Sequence, residues 1–272
     1  MSVTERLSLV RSALFLPASN ARAVEKARGL NCDLAILDLE DAVKAEDKDV
    51  ARDSAVAALG ADWMADVVAI RINGVGTPWH EKDIAALSGC GLQLMVVPKV
   101  ESAEEARVIA GKSGTAFLAM IETPQGVYAA REIAAVEGVV GLIAGTNDLG
   151  AELHIPSAPG RAGLALALQS IVLAARAAGG VALDGVYNRL DDPAGFENQC
   201  REGRSFGFDG KTLIHPNQID PCNRLFGPDE SELEDAKALI DAASGGAERF
   251  RGRMIESMHV ESARRLVKRA RQ

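Results

Sequence analysis

The sequence has 272 residues, of which 47% are hydrophobic and 25% are charged, and its formal net charge is −8 at pH 7. This composition is that of an ordinary globular domain and excludes the disordered and fibrous classes. The acidic balance argues against a nucleic-acid-binding surface, and no apolar stretch approaches the roughly 20 residues that a membrane span requires. The amino-terminal residues have no signal-peptide pattern and the four cysteines have no CxxC spacing, so we expect a cytoplasmic protein without a zinc site.

Eight short apolar runs recur along the chain, and each is followed by a segment of helical composition. The runs are nearly continuous in Val, Ile, Leu and Ala, which is typical of strands buried on both faces of a parallel sheet. Several of the intervening segments open with Ser, Asp or Asn and close with Gly, as helices do. In chain order the runs are SALFLPA from Ser12, LAILDLE from Leu34, VVAIRIN from Val67, LQLMVVPKV from Leu92, AFLAMIETP from Ala116, VVGLIAG from Val139, VALDGVY from Val181 and GKTLIHP from Gly210.

This alternation predicts an α/β fold, the (β/α)₈ TIM barrel, for which about 250 residues are typical. An open doubly wound sheet is the alternative, but no GxGxxG motif follows the first strand. We expect residues 1–227 to form the catalytic barrel. Residues 228–272 exceed what eight units need, and their amphipathic segments predict a C-terminal helical extension that contacts a neighbouring subunit.

Polar residues follow seven of the eight predicted strands, at the ends where TIM-barrel active sites form. Each has an ordinary alternative, such as a carboxylate that caps the next helix, a lysine that reaches solvent or a histidine that holds a loop. Burying so many charges together without partners or a metal would be costly. In chain order they are Asp38, Glu40, Asp41, Arg71, Asn73, Lys99, Glu101, Glu122, Asn147, Asp148, Asp184, Tyr187, Asn188 and His215.

Glu122 and Asp148 follow adjacent strands, so their carboxylates can converge on one point. A carboxylate pair that leaves positions open for water and substrate is the usual way in which proteins hold Mg²⁺. Zinc is disfavoured because no Cys or His clusters with the pair. A glycosidase acid–base pair is an alternative from spacing alone, although two Trp and two Tyr offer few platforms for sugar rings.

Eight segments together carry a family resemblance. In order they are RSALFLPA, LAILDLEDAV, RINGVGTPW, VVPKVESAEE, AMIETPQGV, GTNDL, DGVYN and GFDGKTLIHP. From about Arg11 onward, the chain resembles the citrate lyase β-subunit-like group of the HpcH/HpaI aldolase superfamily. The resemblance implies a homotrimeric TIM barrel that uses Mg²⁺, or Mn²⁺ in its place, to cleave or form C–C bonds in malyl-, citramalyl- or citryl-CoA. The implied partners are an acyl-CoA substrate and a small keto acid, with no nucleic acid or membrane.

The resemblance also implies roles for individual residues. Glu122 and Asp148 are the expected magnesium ligands, and Arg71 is expected to contact the oxyanion of the substrate. Asp38, Glu40 and Asp41 are expected to form an acidic cluster near the metal. The expected cofactor-binding residues, several of them along the coenzyme A path, are Lys26, Arg71, Asn147, Ile214, His215 and Pro216.

The carboxyl-terminal segment departs from the family pattern DGxMIDxP, in which the second acid is supplied across a subunit boundary. Here Arg251 stands in place of the first Asp, Glu256 in place of the catalytic acid, and the Pro is absent. We expect Glu256 to carry a proton as a catalytic residue; a surface charge on a helix is the ordinary alternative. The tail is closer to the malyl-CoA thioesterase subgroup, but lyase activity is more widespread in the family. We therefore favour a CoA-ester lyase, with a malyl-CoA thioesterase, a carrier-dependent citrate lyase subunit and a CoA-independent keto-acid aldolase as alternatives.

Overall fold

The computed structural model describes residues 1–156 and 160–270, so the last two positions of the predicted extension, 271 and 272, lie outside the described residues. Eight strands form a closed barrel in which each strand pairs with its neighbours in sequence and the last of the eight pairs with the first. All eight pairings are parallel. The predicted TIM barrel is confirmed, and the open-sheet alternative is wrong. The strands are β1 (Ser12–Pro17), β2 (Leu34–Asp38), β3 (Val67–Arg71), β4 (Met95–Val97), β5 (Phe117–Ile121), β6 (Val139–Ala144), β7 (Val181–Asp184) and β8 (Gly210–Leu213).

Helices connect the strands and cover the outside of the barrel. Their ends carry the expected signals: the Thr123 hydroxyl accepts a hydrogen bond from the Gly126 N–H at the start of the helix Pro124–Ala134, and left-handed Gly207 ends the helix Pro193–Phe206. Within the two described ranges, no helix is both long and apolar enough to cross a membrane. The helices are α1 (Val3–Leu7), α2 (Ala21–Ala27), α3 (Lys48–Ala58), α4 (His80–Leu87), α5 (Ala103–Ser113), α6 (Pro124–Ala134), α7 (Thr146–Glu152), α8 (Ala165–Ala177), α9 (Pro193–Phe206), α10 (Ile219–Phe226), α11 (Glu230–Ala242) and α12 (Ser257–Arg269).

The side chains of each strand alternate between the barrel interior and the surrounding helices. Inward residues such as Ile36 and Ala69 belong to one buried apolar cluster, and outward residues pack with the helices in a larger one. Both faces of the strands are thus buried, as the continuous apolar runs predict. Asp38, Arg71 and Glu122 are the next inward-facing residues of their strands, and they line a cavity at the carboxyl ends of the strands.

Asp184 is the strand-end residue that departs from the expected inward direction. Leu183 occupies the inward position of β7, so Asp184 faces the helices and lies fully buried against Lys211 and Arg161. Its carboxylate oxygens lie 3.0 Å from Lys211 Nζ and 2.5 Å from Arg161 Nη1. Burial raises the pKa of Asp184, but the two cations outweigh that effect and keep it below its usual value. These three charges join the barrel wall to its helices and do not reach the cavity.

The extension after α10 contains α11, a two-stranded antiparallel hairpin and α12. The hairpin consists of β9 (Glu248–Phe250) and β10 (Arg253–Ile255), and its apolar side packs with α11 and α12 in a small separate core. Near the end of α12, the Arg269 guanidinium donates hydrogen bonds to the carbonyls of Ser8 and Asp209. These carbonyls precede β1 and β8, so α12 is attached to the amino-end face of the barrel, opposite the cavity.

Candidate active site

A cavity of about 360 Å³ opens at the carboxyl ends of the strands. Residues from seven of the eight strands or the loops that follow them contribute, so the barrel mouth itself forms the site. Its lining residues are Phe15, Leu16, Pro17, Asp38, Asp41, Ala42, Arg71, Met120, Glu122, Ala144, Gly145, Thr146, Asn147, Asp148, Val186, Asn188, Thr212 and Ile214.

Arg71 is held at the cavity by a two-pronged ion pair with Asp38. The guanidinium Nε and Nη2 each donate to a carboxylate oxygen of Asp38 at 2.6 Å, and the guanidinium carbon lies 4.7 Å from the centre of the Phe15 ring. Asp38 is fully buried and Arg71 nearly so. Burial alone would lower the pKa of Arg71, but Asp38 and Glu40 outweigh it and hold that pKa above its ordinary value. The result is a fixed planar cation whose geometry suits an oxyanion or a carboxylate.

Glu40 lies beside the third guanidinium nitrogen. Its Oε2 is 2.8 Å from Arg71 Nη1, but the geometry makes no hydrogen bond, and within the described part of the chain this buried oxygen has no other partner. Burial raises the pKa of Glu40 to about 8, against the lowering effect of Arg71 and with a further rise from the charge of Asp41. Glu40 is therefore a carboxyl group that can hold or release a proton near neutral pH.

Glu122 and Asp148 are brought together as their positions after β5 and β6 predict. Glu122 is buried, and its Oε1 accepts a hydrogen bond of 2.7 Å from the Lys99 N–H. Asp148 lies in the first turn of α7, and its Oδ2 is 3.1 Å from Lys99 Nζ. Burial raises the pKa of Glu122 to about 7, and the charge of Asp148 raises it further, whereas the Lys99 N–H lowers it. Both carboxylates line the same cavity, and the charge of Asp148 acts on the ionisation of Glu122.

The donor set of the cavity fits magnesium better than zinc. Among the described residues no group of three or more His, Cys, Asp and Glu side chains could hold a metal, so the two carboxylates stand without a third ligand of that kind. Mg²⁺ binds through one or two carboxylates and keeps several waters, whereas protein zinc sites use three or four protein ligands, most of them His and Cys. Gly145 makes room for Glu122, because a Cβ there would lie 2.5 Å from Glu122 Oε2.

We predict that Gly145→Ala lowers activity about a hundredfold, because the added methyl group forces the Glu122 carboxyl out of place by an ångström or so. We also expect a loss of about 1–3 kcal/mol in the free energy of unfolding from overpacking. Urea unfolding and steady-state kinetics measure the two effects. Gly150→Ala on α7 is the matched control, since a Cβ there has no neighbour within 4 Å. Equal activity in the two variants would show that the position of Glu122 does not depend on Gly145.

Two neighbouring loops are joined at the rim of the cavity. Asn147 and Asn188 exchange amide hydrogen bonds, of which the Asn188 Nδ2 to Asn147 Oδ1 bond is 2.7 Å. Buried Gln218 accepts hydrogen bonds from the Ile214 and His215 N–H groups and donates to the Tyr187 carbonyl at 3.0 Å. The corner that begins at Ile214 is thereby fixed to the loop after β7, beside the cavity.

The structure brings some of the expected site residues together and leaves others apart. Arg71, Glu122, Asn147, Asp148 and Ile214 line one cavity. His215 and Pro216 continue the corner that begins at Ile214, and the His215 Nδ1 accepts a hydrogen bond from the Asn217 N–H. Lys26 is exposed on α2, and Glu256 is exposed at the start of α12. Neither Lys26 nor Glu256 is among the residues that line the cavity of its own chain.

Several residues of the site were not predicted from the sequence. Phe15, Met120 and Thr212 line the cavity as apolar or neutral side chains, and Gly145 and Gln218 act by spacing and by hydrogen bonding. A sequence signal existed for Phe15, Met120 and Thr212, because each occupies an inward position one or two residues before a strand ends. No sequence pattern indicated Gln218, because its hydrogen bonds to the corner at Ile214 and to Tyr187 depend on the path of the loop.

The family model described as HpcH/HpaI aldolase/citrate lyase matches residues 11–216 of the chain. The chain belongs to this family. A second model, described as a C–C bond lyase of the TIM-barrel fold, matches residues 164–272. The family resemblance that the sequence motifs predict is thus confirmed, and the protein is an enzyme of the citrate lyase β/HpcH type.

Named relatives cover nearly the whole chain. A (3S)-malyl-CoA thioesterase of Cereibacter sphaeroides is 41% identical over 96% of this chain and 94% of its own length. The citrate lyase subunit beta of Escherichia coli K12 is 32% identical over 96% of this chain and 93% of its own. The solved structure of CitE from Mycobacterium tuberculosis in complex with magnesium, acetoacetate and coenzyme A is 32% identical, with a TM-score of 0.81 over 95% of this chain and 97% of that one.

Proposed function

We propose that this enzyme hydrolyses (3S)-malyl-CoA, or a close 3-hydroxyacyl-CoA, to the free acid and coenzyme A in a magnesium-dependent reaction. The observation that carries the proposal is the buried Glu122 beside Asp148 in one cavity with Arg71. It is supported by the 41% identity to a (3S)-malyl-CoA thioesterase over nearly the full length of both chains. Because of this relative we place hydrolysis ahead of the C–C cleavage that the sequence alone favours.

The carboxylates of Glu122 and Asp148 would hold Mg²⁺, or Mn²⁺ in its place. When bound, the metal supplies positive charge that polarises the oxygen atoms of the substrate. The pair offers only two protein ligands, so positions remain for the malyl hydroxyl and carboxylate. Asn147, whose amide is already oriented by Asn188, would add a hydrogen bond to the same end of the substrate.

Arg71 and Glu40 would act on the thioester. The rigid guanidinium of Arg71 stabilises the oxyanion that forms when water attacks the thioester carbonyl, and its ion pair with Asp38 fixes it before the reaction. The Oε2 of Glu40 is paired with Arg71 Nη1 at 2.8 Å but makes no hydrogen bond, and it accepts the proton of that water. The same proton can then pass to the departing thiolate of coenzyme A.

The coenzyme A moiety would leave the cavity along the seam of β1 and β8. Ile214 lines the cavity, and its corner continues through His215 and Pro216. Lys26 on α2 follows β1, the strand that pairs with β8, so an exposed ammonium is available for the phosphates. We assign these four residues to the path of coenzyme A.

Cleavage of the C–C bond, which gives acetyl-CoA and a keto acid such as glyoxylate, is the second candidate. It is favoured by the C–C bond lyase model over residues 164–272 and by the identity to a citrate lyase subunit. The two reactions share the metal site and Arg71 and differ in the bond that breaks. Lyase action needs an acid that protonates the enolate carbon, the role expected of Glu256.

Product analysis decides between these candidates. Purified protein is incubated with (3S)-malyl-CoA and Mg²⁺, and free thiol and glyoxylate are assayed separately, with EDTA in a parallel reaction. Free coenzyme A and malate without glyoxylate, abolished by EDTA, is the expected result. Glyoxylate with acetyl-CoA would establish the lyase instead. No turnover of any free CoA ester would contradict both and favour a subunit that acts on a carrier-bound substrate.

We predict that Glu256 acts on the cavity of a neighbouring subunit in a homotrimer, because it is exposed on the extension of its own chain. In C–C cleavage, where Glu256 would protonate the enolate carbon, Glu256→Ala should slow the chemical step about a hundredfold without weakening coenzyme A binding. Mixed refolding of Glu256→Ala with Glu122→Gln should restore part of the activity, since some cavities then receive both intact residues. The control is Glu261→Ala, an exposed carboxylate on α12. Mixtures as inactive as their parents would show that the two residues do not meet across subunits.

A further inference from the structure

One residue, Lys99, contacts both carboxylates of the proposed metal site in different ways. Its backbone N–H donates to Glu122 Oε1 at 2.7 Å, and its ammonium lies 3.1 Å from Asp148 Oδ2. Lys99 adopts a left-handed backbone with φ of 51°, which is uncommon for a residue other than glycine. It stands directly after Pro98 in the loop that follows β4, beside β5. The backbone of Lys99 thus contacts Glu122, and its side chain contacts Asp148.

The charges of the cavity explain why an ammonium is held there. Asp38, Asp41, Glu122 and Asp148 line the cavity and Glu40 lies beside Arg71, so five carboxyl groups meet at the barrel mouth. The Arg71 guanidinium uses two nitrogens on Asp38 and faces Glu40 with the third. Lys99 is the cation that the structure places on Asp148, and its charge offsets the repulsion between Asp148 and Glu122.

The two contacts of Lys99 differ in how easily they can be broken. Glu122 is buried, and its bond comes from a backbone that cannot swing away. The Lys99 side chain is 50% exposed and that of Asp148 is 36% exposed, so their ion pair faces solvent and can be exchanged for another cation. Exposed ion pairs of this kind are worth little and are weakened by salt.

We propose that Lys99 is the internal counter-ion of the metal site: its ammonium neutralises Asp148 in the metal-free enzyme, and Mg²⁺ must displace it to bind. The proposal rests on the metal site of the proposed function. The backbone N–H of Lys99 keeps Glu122 in position in both states, so displacement moves only the side chain. Lys99 is therefore a positioning residue that sets the affinity for the metal, and it keeps the site ordered while the metal is absent.

The test is the affinity of the protein for Mg²⁺ alone, measured by isothermal titration calorimetry without substrate. Lys99→Met removes the charge but keeps the length of the side chain, and we expect Mg²⁺ to bind about twofold to fivefold more tightly. Raising the ionic strength should narrow this difference, because salt screens the lost charge. Lys99→Arg keeps the charge and should bind Mg²⁺ like the unaltered protein. The matched control is Lys112→Met, since Lys112 forms a similarly exposed ion pair with Glu81 at 2.7 Å on the outside of the barrel.

The outcomes separate this inference from the proposed function. Tighter Mg²⁺ binding in Lys99→Met but not in Lys99→Arg or Lys112→Met supports the counter-ion. Unchanged or weaker Mg²⁺ binding in Lys99→Met overturns the counter-ion role. The metal site itself is still supported in that case if the unaltered protein binds Mg²⁺ and Glu122→Gln does not. A protein that binds no Mg²⁺ in any form contradicts both. If Lys99 only stabilised the fold, Lys99→Met would lower the thermal stability without tightening Mg²⁺ binding.

Discussion

Glu122→Gln is expected to reduce Mg²⁺-dependent turnover about a thousandfold or more, because several kcal/mol of transition-state stabilisation depend on the metal. Glutamine keeps the size of the side chain and can still accept the hydrogen bond from the Lys99 N–H. The fold should persist. Burial raises the pKa of Glu122 to about 7, so a neutral amide avoids the cost of burying this carboxylate and the metal-free variant should melt at the same temperature or higher.

Three measurements on this variant check the prediction: thiol release from malyl-CoA, calorimetric titration with Mg²⁺, and thermal unfolding in EDTA. Glu101→Gln is the matched control, because Glu101 is exposed and follows the neighbouring strand β4. Turnover within threefold of the unaltered protein would remove Glu122 from the metal site. A large drop in melting temperature would show that Glu122 stabilises the fold rather than the reaction.

Arg71→Met is expected to lower the free energy of unfolding by about 3–5 kcal/mol, since it leaves the fully buried Asp38 carboxylate without its cation. Arg71→Lys retains a charge but loses the two parallel hydrogen bonds of 2.6 Å to Asp38, so it should lose less stability. Both variants should lose activity at least about a hundredfold, because neither presents a planar guanidinium at the cavity.

Urea unfolding and steady-state kinetics on the two Arg71 variants test this pair of effects separately. If Arg71→Met is as stable as the unaltered protein, Asp38 does not depend on the ion pair and the guanidinium is held by other contacts. If Arg71→Lys retains full activity, a point charge is sufficient and the planar geometry of Arg71 has no role in the reaction.

The fold and the centre of the site could be predicted because they follow from short-range rules. Continuous apolar runs alternate with helices, and strands with a period of two place every second residue inside the barrel. Glu122 and Arg71 continue that inward series, which is why the sequence places them in one cavity. The same rule gives Asp184 an outward direction, since Leu183 takes the inward position. A polar residue at a strand end therefore belongs to the site only if it stands at an inward position, which Asp184 does not.

Other features could not be predicted because they depend on how loops meet. The left-handed backbone of Lys99 belongs to a sharp turn of its loop. The Gln218 side chain donates to the Tyr187 carbonyl, which is distant in sequence. The position of Glu256 depends on the extension, which attaches to the far face of the barrel. Whether Glu256 reaches a cavity depends on how subunits assemble and not on the fold of one chain.

The attachment of Arg269 has a consequence for the order in which the protein is built. During synthesis β1 emerges first, yet its second neighbour, β8, is made only after the seven other strands. Until then the sheet has two unpaired edges, which are prone to join other chains. Arg269 emerges later still, and it binds carbonyls that precede both β1 and β8. Nascent chains that lack α12 should therefore close the barrel weakly and depend more on chaperones than the completed protein.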